Sequence, residues 1–148
     1  MADHVRQQIR ERIATTVTGL STTGSRVYQS RVYPMANANM PGLLIYSNAE
    51  DSEIDAMGST GVSNRTLSIA IEGYVKDTTE FDDKIDDICK EVETAMAGDQ
   101  KINGLAKNSF LQSTEIEFTG DGEKPIGVVT LNYVVQYRTA TNAPDVAL

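Results

Sequence analysis

The sequence predicts an α+β fold: a mostly antiparallel sheet of about five strands, with two helices packed on one face. Three observations carry this. Two segments place apolar residues at helical spacing, the strand-like segments cluster unevenly around them, and the clearest strands are apolar on one side only. The predicted order is α-β-β-β-α-β-β. With 148 residues, the chain has the length of one domain, 1–148, with an ordered core over about residues 3–139 and a mobile C-terminal tail over 139–148.

In the first helix Val5, Ile9, Ile13 and Val17 recur every fourth residue with Ala14 beside them, Asp3 stands where an N-cap belongs and Gly19 fits the stop. His4 reads as a surface residue of a frayed terminus. Arg26 to Tyr33 is rich in Val and Tyr and ends at Pro34, which predicts a strand. Its echo of Val27 at Val32 falls on the opposite face, so a bulge or a two-sided strand is expected. Leu43-Leu44-Ile45-Tyr46, after Pro41-Gly42, predicts a short strand buried on both sides. Ser47 to Asn64 is too acidic and too rich in Gly and Ser to build a core, and reads as one long loop. Beyond it, Leu67, Ile69, Ile71, Gly73 and Val75 alternate with Thr66, Ser68, Ala70, Glu72 and Tyr74.

Asp77-Thr78-Thr79-Glu80 has capping-box spacing before a second helix with Phe81, Ile85, Ile88, Val92 and Met96 on one stripe. Glu80, Asp82 and Asp83 crowd its positive end, and Gly98 closes it. After a loop to about Phe110, Thr114, Ile116 and Phe118 mark a strand, Gly120-Asp121-Gly122 turns it, and Val129, Leu131, Tyr133, Val135 and Tyr137 mark a long return strand.

Composition narrows the function. Lys plus Arg number 13 against 21 Asp plus Glu, a formal net charge of −8. A surface of that sign does not displace counterions from nucleic acid or bind anionic membranes. No segment approaches the roughly 20 apolar residues of a membrane span, and no signal-peptide core is present, so a cytoplasmic site of synthesis and assembly is expected. The single cysteine, Cys89, excludes an intrachain disulfide and a thiolate-rich zinc site, and with one histidine no nucleophile–base pair suggests itself. Asp51, Glu53 and Asp55 invite a calcium-loop reading, but Ala56 stands where the loop needs Gly and Val62 where it needs a bidentate Glu. Gly58-Ser-Thr-Gly61 lacks the Gly-Lys-Ser/Thr of a phosphate cradle. No catalytic, cofactor-binding or metal site is therefore expected, and the chain is not read as an enzyme. The loop is instead read as an assembly surface, with Ile54 and Met57 as apolar contacts and Asp51, Glu53 and Asp55 as polar ones. On that reading it could be cut to a short turn without harm to the fold.

Several strings carry a family resemblance: PGLLIYSNAED, then LSIAIEGYV, then a helix opening in DTTEFDDKIDDI, and a closing strand VVTLNYVVQYRT. Their order resembles the tail terminator proteins of long-tailed bacteriophages, the group similar to the U protein of phage lambda. The likeness spans about Asp3 to Thr139; the connection Asp99 to Asn108 is longer here. The resemblance implies a structural virion protein of the tail or neck. Such a protein forms a hexameric ring on the tail tube protein, stops tube polymerisation and offers its other face to the head-tail connector or head completion protein. DNA then passes through the lumen without specific binding, and neither cofactor nor membrane is involved. A related neck, head-completion or tail-tube subunit is the alternative within this class, and a small ligand-binding or enzymatic α+β domain the alternative outside it. Because no required metal is expected, chelation should leave the melting temperature unchanged; a drop would bring the acidic-loop site back.

Overall fold

The computed structural model describes residues 3–29, 41–56, 61–76, 81–119 and 126–148. Its elements run α1 (Val5–Thr16), β1 (Val27–Tyr28), β2 (Gly42–Ala56), β3 (Val62–Lys76), α2 (Phe81–Ala97), β4 (Asn108–Thr119), β5 (Ile126–Ala140) and β6 (Ala143–Ala147). The strands form one sheet in the order β1-β2-β3-β5-β4, with β6 paired to β5. All pairings are antiparallel except that of β1 with β2. The α+β class and the predicted order hold, with a sixth strand added at the end.

Both helices bury their stripes against the same side of the sheet. Val5, Ile9, Ile13 and Val17 from the first, and Ile85, Ile88, Val92 and Met96 from the second, join Leu43, Ile45, Leu67, Ile69, Ile71, Val129, Leu131 and Tyr137 in one core. Gly73 lies on that side because nothing larger fits: a Cβ there would stand 3.0 Å from Ile88 Cγ2 and 3.1 Å from Val129 Cγ1. Ile102 also plugs the core, from a turn in which it, Asn103 and Gly104 all have positive φ (49°, 54° and 84°). For a β-branched residue this is strained backbone. Its burial offsets the cost, and Asp99 holds the turn by accepting the Asn103 N–H at 2.9 Å and the Arg12 Nε–H at 3.0 Å.

Four readings are corrected. Ser47 to Asn64 is not one long loop: β2 runs on to Ala56 and β3 starts at Val62, so both flanks of the segment pair with each other. The polar composition misled because Asp51 to Ile54 carry exposed side chains and this part of β2 draws its order from its pairing with β3. Shortening Glu50 to Gly61 would therefore remove strand, not slack. The expected mobile tail, 139–148, instead supplies the end of β5, with Thr139 buried, and all of β6. His4, not Asp3, caps α1, its Nδ1 accepting the Arg6 backbone N–H at 3.0 Å. Finally, β4 begins at Asn108, ahead of Phe110. The strand expected over Arg26 to Tyr33 is seen only at Val27–Tyr28, as β1, with Arg26 and Gln29 outside it; positions 30–33, like the expected capping box at Asp77–Glu80 and the turn at Gly120–Gly122, lie outside the described residues.

Leu131 faces the helices and Thr130 the other side. Leu131→Ala should cost about 2–5 kcal/mol in denaturant unfolding, since a cavity remains, and Thr130→Ala less than about 1. Equal losses would mean that the face assignment is wrong.

Candidate assembly surface and its supporting polar node

Two bulges decide what the outer strands display. In β2 the register slips between Ser47 and Ala49, which makes Asn48 the extra residue of a bulge. Before it, Leu43, Ile45 and Ser47 face the helices; after it, Glu50 does, opposite Leu67, while Asp51 and Glu53 turn to the helix-free face opposite Thr66 and Asn64. In β4 the slip falls between Leu111 and Ser113. Thr114, Ile116 and Phe118 thereby share the side of Leu131 and Val129, and Glu115 and Glu117 the helix-free one.

The predicted assembly residues are thus not brought together. Asp51 and Glu53 are exposed on one face, and Ile54, 64% exposed, stands on the other. Asp55 lies in β2 next to a second slip, and Met57 falls outside the described residues.

The more extensive surface lies at the opposite edge. Among the described residues no strand pairs with the outer side of β4, which is the edge strand of the described sheet. From Gln112 to Phe118 every side chain is exposed. Ile116 (56%) and Phe118 (58%) lie on the helix side of the sheet without being covered, and Phe110 (44%) on the other side. An open edge flanked by uncovered apolar side chains is chemically suited to strand addition by another chain. The apolar alternation of Thr114, Ile116 and Phe118 was legible in the sequence; their exposure in the described structure was not.

Beneath the first turn of α1 the Glu50 carboxylate gathers the other notable group of side chains. Its Oε2 accepts from Arg6 Nη1 at 2.8 Å and from Arg65 Nη1 at 3.1 Å, and its Oε1 accepts from the Tyr137 hydroxyl. Arg65 also donates Nε–H to Thr139 Oγ1 at 3.2 Å and lies over the Tyr137 ring, 5.9 Å from its centroid. Burial, then the hydrogen bond to Glu50, pushes the Tyr137 hydroxyl well above its usual range, so it stays a donor. A cleft beside the node is bounded by Arg6, Ser47, Asn48, Ala49, Glu50 and Leu67. The node ties α1 to β2, β3 and β5, and Gln8 extends it to β6 by donating to the Asp145 carbonyl at 3.1 Å. The sequence reading missed it because Glu50 lay within the supposed loop. Only the slip at Asn48 aims it inward.

On the helix-free face the Tyr46 and Tyr74 hydroxyls both donate to Glu72, at 2.9 and 3.1 Å. Burial, with Glu72 beside it, lifts the Tyr74 pKa to about 12. Cys89 is half-buried against the core, and burial raises its thiol to about 11, far from a thiolate nucleophile at neutral pH. Among the described residues no three His, Cys, Asp or Glu side chains gather as a metal site. None of the described helices is long and apolar enough to cross a membrane.

No protein-family model matches the chain, and no curated protein matches it. Among solved structures, a chain of the virion of a native gene transfer agent (GTA) particle is similar, at 15% identity over 90% of this chain and 92% of that chain, with a TM-score of 0.43. No residue role is taken from it.

Glu50→Ala should cost about 3 kcal/mol in denaturant unfolding, since two guanidiniums and a buried hydroxyl lose their acceptor. Arg12→Ala removes a more exposed pair and should cost less than about 1 kcal/mol.

Proposed function

We propose that this chain is a structural protein of a phage-like virion, and within that class a tail terminator. In this role it forms a ring on the tail tube, ends its polymerisation and receives the head connector. The observation that carries the assembly reading is β4, the edge of the described sheet, with Ile116 and Phe118 exposed beside it. The choice of terminator rests on the resemblance of the four strings from PGLLIYSNAED to VVTLNYVVQYRT.

The strand directions suit a ring. β2 and β5 run one way, β3 and β4 the other. A neighbour offering the end of its sheet where β2 carries Ile54 would therefore meet β4 antiparallel, with both helix layers on the same side. Such head-to-tail contact closes into a ring when the rotation per copy allows it. The helix-free face would then line the lumen. Its described part carries Asp51, Glu53, Glu72, Glu115 and Glu117 against Lys76 and Arg138. An acidic lining repels the DNA backbone and lets it slide past. No turnover chemistry and no cofactor is needed in this role.

Electron microscopy of the purified protein should show rings of six subunits. The double substitution Ile116→Asp and Phe118→Ser should abolish them while changing unfolding free energy by less than about 1 kcal/mol, because both side chains are already exposed. Phage tails assembled with that variant should overrun their normal length. Intact rings from the variant would move the interface away from β4, and a monomeric wild type at micromolar concentration would remove the ring altogether.

A further inference from the structure

His4 holds a place that only its neutral form can hold. Its Nδ1 accepts the Arg6 backbone N–H, so that nitrogen must carry a lone pair, and the ring proton of the neutral form sits on Nε2. Nε2 in turn lies 3.4 Å from Arg65 Nη1. In that tautomer two N–H groups face each other, so the ring offers the guanidinium nothing. A second proton, on Nδ1, would remove the cap, put a cation at the positive end of α1 and leave it between Arg6 and Arg65.

We infer that His4 is a proton-operated catch: the neutral ring fastens the first turn of α1 over the Glu50 node, and protonation lets that turn go. The groups around it come from every element packed there. Arg6 on α1 and Arg65 on β3 oppose a positive ring; Glu50 on β2 and Asp145 on β6 favour it. Glu50 is already engaged by two guanidiniums and, from β5, by the Tyr137 hydroxyl, so little of its charge is left for His4. Burial first, then Arg6 and Arg65, outweigh the two acids and hold the ring below its ordinary pKa.

A group depressed in the folded state contributes its stability above the unfolded value, near 6.5, and loses it as pH falls through the folded one. Release is local, because Ile9 and Ile13 remain in the core whatever the first turn does. It reaches β6 as well, since Gln8 carries the bond to the Asp145 carbonyl.

His4 is the only histidine, so its ring C–H proton resonances report on this site alone. The titration midpoint should lie below about 6.5. Over the same range the hydrogen-exchange protection of Gln7 and Gln8, whose N–H groups donate to the His4 carbonyl at 2.8 and 3.1 Å, should fall by about tenfold. In His4→Asn, a neutral cap, protection should stay flat until the carboxylates titrate. A midpoint at or above 6.5, or the same loss of protection in His4→Asn, would overturn the inference. Should His4→Asn not fold, the wild-type midpoint and its coincidence with the loss of protection decide alone.

Discussion

The unbroken ladder between β3 and β5 is the constraint on which the other elements depend. Val62 to Lys76 pairs with Ala140 to Ile126 without a register shift, and that pairing sets which side of the sheet is greasy. Leu67, Ile69, Ile71 and Val75 from one strand, and Val129, Leu131, Val135 and Tyr137 from the other, make a continuous apolar strip. Both helices lie on it. Every irregularity belongs to strands outside this pair: the slips in β2, in β4 and at the join to β6. A rigid centre with adjustable margins suits a subunit whose margins are where neighbours attach.

Most of the centre was legible from the residues. The alternation in Leu67–Val75 and Val129–Tyr137 and the two helical stripes each have one dominant period, and local pattern and burial agree there. What stayed hidden was order imposed from outside the segment. Ser47 to Ala56 forms a strand because β3 supplies partners for its backbone, not because its side chains need burying. Ala143 to Ala147 is likewise held by β5 and by α1, and no period in five residues could announce it. The Glu50 node was invisible for the same reason. Its four side chains come from positions 6, 50, 65 and 137, and only the pairing with its bulge brings them together.

The node also explains how a short N-terminal helix can stay fixed. α1 is 12 residues long, too short to be stable alone, and must be held by what it touches. Its stripe supplies the apolar part. Arg6 on Glu50 at one end and Arg12 on Asp99 at the other fix its rotation and its position along the sheet. These two anchors differ in kind. The first pair is linked to a largely buried carboxylate that serves three elements; the second steadies a single strained turn.

The extra residue at the slip in each outer strand makes sidedness a matter of counting. Asn48 adds one position to β2, and the side chains after it change face as far as Ile54, where the second slip falls; the slip after Leu111 does the same for the rest of β4. In these strands the presence of a bulge therefore outweighs the identity of a side chain. Flattening either slip into a regular ladder with every residue kept would turn Glu50 away from α1, or carry Glu115 and Glu117 to the side now held by Ile116 and Phe118, although no side chain had been altered. Relatives with very different residues along these edges could keep the same display, provided that the spacing between the slip and the strand's end were kept. Over evolutionary time, the gain or flattening of a bulge would remodel the rim of this protein more than substitutions would.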